Sequence, residues 1–217
     1  MKRLATVFAL LSVAAVAATP PADFTIARLH YGGGGDWYCD PSSLPNLLEY
    51  LEEATGMPTA EEAVVEPADP ELFDYPYLYL TGHGNVSFSA LEREQMRVYL
   101  RNGGFLHIDD NYGLDPYIRR ELTALFPDVE LVELPFDHPI YHSFYDFPAG
   151  PPKIHEHDGE QPRGYGLFID GRLSVYYTHE CDLGDGWEDP EVHDDPPEVR
   201  EQALRMGVNI IIYVLTH

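Results

Sequence analysis

Apolar and polar positions change their period several times along this chain, and each change marks an element. From Phe24 to Tyr31 they alternate, which predicts a strand that runs into the turn Gly32-Gly33-Gly34-Gly35-Asp36-Trp37. Leu47, Leu48, Leu51 and Ala54 recur at helical spacing, predicting a helix over Leu44 to Ala54 that Gly56 and Pro58 end. Tyr77-Leu78-Tyr79-Leu80 is a short apolar run between Pro76 and Gly82, the pattern of a buried parallel strand. Ser89-Ala90-Leu91-Glu92 is a capping box that opens a helix through Arg101, and Asn102-Gly103-Gly104 stops it.

The same reading predicts strands over 104–108 and 129–134, with an amphipathic helix over 115–126 between them. Asp170-Gly171 joins two apolar runs, Gly166 to Ile169 and Leu173 to Tyr177, as the turn of a β-hairpin. Residues 182–198 carry eight carboxylates among prolines and glycines and read as a loop, and a last helix spans Val199 to Leu215. Strands alternating with helices predict a three-layer α/β fold, flavodoxin-like or glutamine-amidotransferase-like, with a mainly parallel sheet and a late β-hairpin. No repeat or linker divides the chain, so residues 18–217 are expected to form one domain.

The first residues read as an address rather than as structure. Lys2 and Arg3 precede an apolar run from Leu4 to Val16, and small residues follow, so residues 1–17 match a signal peptide too short to span a bilayer comfortably. An exported protein, periplasmic or extracellular and with no retained membrane span, is expected. Charge points to habitat. With 13 Lys+Arg against 37 Asp+Glu the formal net charge is −24, which disfavours nucleic acid as a partner. Beyond Arg3 the only lysine is Lys153, and so acidic a surface predicts a halophilic protein whose self-repulsion is screened by strong salt. Cys39 and Cys181 lack CxxC spacing, leaving a disulfide between them and two buried thiols as open alternatives.

Ligands of open parallel sheets bind beyond the carboxyl ends of the strands. That edge would collect Asp36 and Trp37, then His83, then His107, Asp109, Asp110 and Asn111, then His179 and Glu180. Asp109, Asp110 and His179 are the catalytic candidates. Asp36, Trp37, His83, Asn111 and Glu180 are the candidates for ligand binding, and His107, Asp109 and Asp110 those for a divalent metal, the one cofactor the residue types suggest. His155-Glu156-His157-Asp158 and the His138/His142 pair are further imidazole clusters, neither with HExxH spacing. The glycine turn lacks a nucleotide-binding pattern, and no GxSxG elbow occurs.

Phe24 to Leu29, the Gly32 to Tyr38 turn, Thr81-Gly82-His83-Gly84, the run Gly103 to Gly113 and Asp137-His138-Pro139-Ile140 together resemble an exported bacterial family, domain of unknown function 4159. More distantly the chain is similar to the class I glutamine amidotransferase superfamily, including its trehalose-utilisation (ThuA-like) members. That resemblance implies oxyanion contacts at Thr81 to Gly84, a nucleophile elbow at Asp109-Asp110-Asn111 and a histidine partner at His179. No cysteine stands at the elbow, so glutamine hydrolysis lacks its thiolate. Three functions stay open: binding of a small polyhydroxylated ligand such as a carbohydrate, metal-assisted hydrolysis, and a non-catalytic partner role in an envelope complex.

Overall fold

A computed structural model describes residues 23–217, so the signal-peptide expectation falls outside the described residues. Its strands are β1 (Ala27–Leu29), β2 (Ala63–Val65), β3 (Tyr77–Leu80), β4 (Phe105–Asp109), β5 (Leu131–Glu133), β6 (Arg163–Ile169) and β7 (Arg172–His179). Its helices are α1 (Ser43–Thr55), α2 (Ala90–Arg101), α3 (Asp115–Leu125), α4 (Leu183–Trp187), α5 (Pro190–His193) and α6 (Pro197–Thr216). All seven strands join one sheet in the order β2-β1-β3-β4-β7-β6-β5. The first five in that order are parallel, and β6 runs antiparallel between β7 and β5. The parallel part has the 2-1-3-4-5 order of a doubly wound flavodoxin-like sheet. This is the expected three-layer α/β architecture, with β6–β7 as its hairpin.

Strand alternation sorts side chains to the two faces. Tyr77, Tyr79, Phe105 and Tyr176 pack beneath α1, α4 and α6 with Leu47, Trp187, Met206 and Ile210. Leu78, Leu80, Ile108, Val175 and Tyr177 pack beneath α2 and α3 with Met96, Leu100, Ile118 and Leu122. The capping box of α2 forms as its sequence predicts: Ser89 accepts from the Glu92 amide and Glu92 returns the bond.

One expectation differs from what is observed. The acidic 182–198 segment contains α4 and α5 rather than a plain loop, because Leu183 and Trp187 are buried and Trp187 Nε1 donates to the Ala203 carbonyl at 2.8 Å. Tertiary burial overrides the poor helix propensity of Gly184 and Gly186. Of the two alternatives open for the cysteines, free thiols are observed: Cys39 is half-buried in the turn after β1, beside Asp36 and His83, while Cys181 is buried after β7 and faces the Arg163 and His179 carbonyls. No helix among the described residues is long and apolar enough to cross a membrane.

Candidate functional site

The ends of β1, β3, β4 and β7 are adjacent along the sheet, so the predicted residues share one edge. They divide into three environments there.

The first is closed. His107 and Asp109 alternate onto the α1/α4/α6 face and are buried. Tyr77 Oη lies 3.0 Å from His107 Nδ1, and the other ring nitrogen lies 3.1 Å from Thr178 Oγ1. Thr178 donates in turn to Asp109 Oδ1 at 2.5 Å, and the Gly184 amide donates to Asp109 Oδ2 at 2.6 Å. A neutral imidazole accepting from Tyr77 and donating to Thr178 satisfies the whole chain. Burial pushes the His107 pKa down to about 3 and raises that of Asp109 well above the usual carboxylate range. A Cβ on Gly184 would sit 2.5 Å from Tyr79 Oη, so glycine is what lets α4 seal this network. Asp109, a catalytic and metal candidate, and His107, a metal candidate, thus lie in the interior with these partners, on the face opposite to Asp110.

The second environment is the glycine turn after β1. Asp36 pairs with His83 Nδ1 at 3.0 Å and also accepts from the His83 amide. The Gly35 amide donates to the Asn85 carbonyl and the Ser87 amide to the Gly32 carbonyl, closing the switch-point crevice between β1 and β3 with backbone bonds. Gly82 has φ 137°, and a Cβ there would meet Tyr31 Oη at 2.1 Å. Trp37 stacks on His30, with centroids 4.1 Å apart, rather than facing a cavity. Asn111 bridges toward this turn, its Nδ2 3.9 Å from Cys39 Sγ.

The third environment is open. A cavity of about 460 Å³ lies between α3, β6 and the ends of β4 and β7. Asp110, Asp115, Arg119, His157, His179 and Glu180 line it. His179 Nε2 sits 3.6 Å from Asp110 and 3.5 Å from Asp115, while its Nδ1 is buried with no hydrogen-bond partner. Arg119 Nε donates to Asp115 at 2.5 Å, and its guanidinium lies over the Tyr165 ring. His157 packs against Asp182, and Lys153 holds Glu180 at 3.1 Å. The chain leaves β7 with Glu180 at φ 57° and Asp182 at φ 52°, a left-handed turn that places both carboxylates. Burial raises the Asp110 pKa to about 7 and lowers that of His179, so both reach their uncharged forms near neutral pH.

Of the predicted residues, this cavity gathers Asp110, His179 and Glu180. Sequence reading passed over Asp115, Arg119 and Tyr165, and singled out His157 only within the 155–158 cluster. Asp115 and Arg119 are an i, i+4 pair at the start of a helix beyond Asp110, and that placement was the available signal. His157 and His155 do not act as a pair, since His155 turns to Asp185. His138 and His142 also serve locally: His138 caps a short helical turn, and His142 binds Asp146. A larger hollow of about 770 Å³ beside α1 is ringed by Glu49, Glu52, Glu53, Glu61 and Glu62 and offers no comparable mixture of donors and acceptors.

The model of one protein family, described as a domain of unknown function (DUF4159), matches residues 25–215. The chain belongs to that family. The match includes the glycine turn, the residues after β4 and the end of β7, so all three environments lie within the family domain. Among curated proteins none matches this chain.

Proposed function

We propose that the cavity beside α3 binds a small polyhydroxylated molecule, such as a carbohydrate, through Asp110, Asp115, Arg119 and His179. The observation that carries this reading is the pairing of His179 with Asp110 and Asp115 in a cavity lined mainly by polar groups. Hydroxyl groups need neighbours that both donate and accept. A half-neutral carboxyl, a neutral imidazole and a fixed guanidinium supply both, while Asp115 and Glu180 add acceptors. Such mixed polar groups fix orientation in small-molecule sites.

Metal-assisted hydrolysis is the second reading, favoured by His179 Nε2 lying within 4 Å of a carboxylate oxygen of both Asp110 and Asp115. Asp110, Asp115 and His179 would be the ligands, and a bound ion would supply an activated water. Burial raises both cysteine thiols, which with their positions away from the elbow argues against thiolate catalysis. Export and an acidic surface suited to strong salt complete the proposal, resting on residues 1–17 and on the charge.

The test is a thermal-shift and calorimetric screen of mono- and disaccharides and polyols against wild type, Asp110→Ala and Arg119→Ala. A compound that raises the wild-type Tm and loses at least 10-fold in affinity in both variants is expected. Silence across the screen, or undiminished binding in Asp110→Ala, would overturn the reading. Binding of manganese or zinc that disappears in Asp110→Ala and His179→Ala would transfer the cavity to the hydrolase reading.

A further inference from the structure

A separate group of side chains lies behind the cavity wall, where the 153–158 segment meets α4 and α5. His155, Asp185 and His193 each place a donor atom so that all three lie within 4.8 Å of one another. Asp185 Oδ2 is 2.7 Å from His155 Nδ1 and 3.8 Å from His193 Nε2. His193 Nε2 is also 3.1 Å from Glu188 Oε2. Four donors around a zinc ion at ~2.1 Å stand roughly 3.4 Å apart, so the observed separations bracket that spacing.

We propose that His155, Asp185 and His193 bind a divalent transition metal ion such as zinc, leaving the fourth position to water. Two imidazoles and a carboxylate are a borderline nitrogen and oxygen set, suited to zinc more than to calcium or magnesium. The free ring nitrogen of His155 lies 3.1 Å from both oxygens of Asp195. That is the carboxylate–histidine–metal arrangement in which an outer carboxylate fixes the tautomer and aims the other nitrogen at the ion.

Charge around the site also favours a cation. Asp40 is 8% exposed and close enough to Asp185 and Glu188 for their charges to oppose its ionisation, second to the effect of burial. Arg28, a buried cation beside Asp40, makes its hydrogen bonds to the Cys39 and Asp40 carbonyls, Ser43 and Glu62, and Arg200 donates to the Glu188 carbonyl. Three short pieces of chain supply the donors, and neither α4, of five residues, nor α5, of four, is long enough to hold its shape alone. An ion there would tie all three together behind Asp182 and His157, bracing the wall of the cavity. Without an ion, His155 held between Asp185 and Asp195 forms an ion-pair bridge in the same place.

The experiment titrates the EDTA-stripped protein with zinc chloride by calorimetry, with metal analysis after dialysis. One zinc equivalent is expected, with a Tm rise of roughly 5 °C at 100 times the dissociation constant. His193→Ala should weaken binding at least 10-fold and Asp195→Asn roughly 10- to 100-fold, neither altering the Tm of the stripped protein much. His193→Gln serves if the alanine variant folds poorly. His83→Ala, which disrupts the Asp36–Cys39–His83 group, should change nothing. Asp110→Ala should also retain its zinc, which keeps failure of this site distinct from failure of the ligand reading. Zinc binding equal in wild type and His193→Ala, or lost in His83→Ala instead, would overturn the proposal.

Discussion

Asp109 and Asp110 are neighbours in sequence and opposites in structure. Asp109 ends β4 on the α1/α4/α6 side, where Thr178 and the Gly184 amide occupy its oxygens. Asp110 follows on the α3 side, where its neighbour His179 keeps a buried nitrogen without a partner. One face has spent its polar groups on holding α4 to the sheet. The other leaves them facing a cavity. Polar residues at the end of a parallel strand thus divide, by the twofold alternation of the chain, between structural and available chemistry.

The sharpest way to break this contrast is to remove each carboxylate in turn. Asp109→Ala leaves the Gly184 amide without an acceptor, costing about 1–3 kcal/mol, takes the shorter bond of the Thr178 hydroxyl and opens a cavity, and is expected to lose about 4 kcal/mol in urea unfolding. At pH 7 Asp110→Ala should stay within about 1 kcal/mol of wild type, since Asp110 accepts only one long bond, 3.4 Å from the Glu180 amide. Equal losses would erase the distinction between the two faces.

Titration gives the next largest effect. The Asp110 pKa stands near 7 in the folded chain against about 3.9 unfolded, so between those values the folded state binds the extra proton. Stability from this group therefore falls as pH rises from 4 to 7. The stability difference between wild type and Asp110→Asn should decline by about 3 kcal/mol across that window. A flat difference would place Asp110 in bulk-like solvent.

The smallest effect concerns the glycine turn. Asp36→Asn weakens an exposed pair with His83, at a cost of roughly 0.5 kcal/mol, and should leave ligand binding in the cavity unchanged. Loss of binding in that variant would move the site to the β1/β3 switch point.

Much of the architecture is legible in the sequence because local signals agree with it. Ser89 and Glu92 announce α2, Asp170-Gly171 announces the hairpin, and the apolar run at Tyr77 announces a buried strand. α4 is illegible because its glycines argue against a helix and only distant partners of Trp187 and Leu183 hold it. β2 is three residues long, too short to show a period. The shared edge is legible from the topology rule, but which carboxylate faces water is not. That depends on where β4 ends, and a one-residue change reverses the face. Arg119 escapes notice because a charge on an amphipathic helix ordinarily marks its solvated side.

The most direct test of the cavity reading is an amide NMR titration of the full chain with the best sugar or polyol from the screen. The account predicts shift changes that cluster at Asp110, Asp115, Arg119 and His179 and that vanish in Asp110→Ala. Changes centred on Gly32 to Asp36 and His83, with Asp110 and His179 silent, would contradict it.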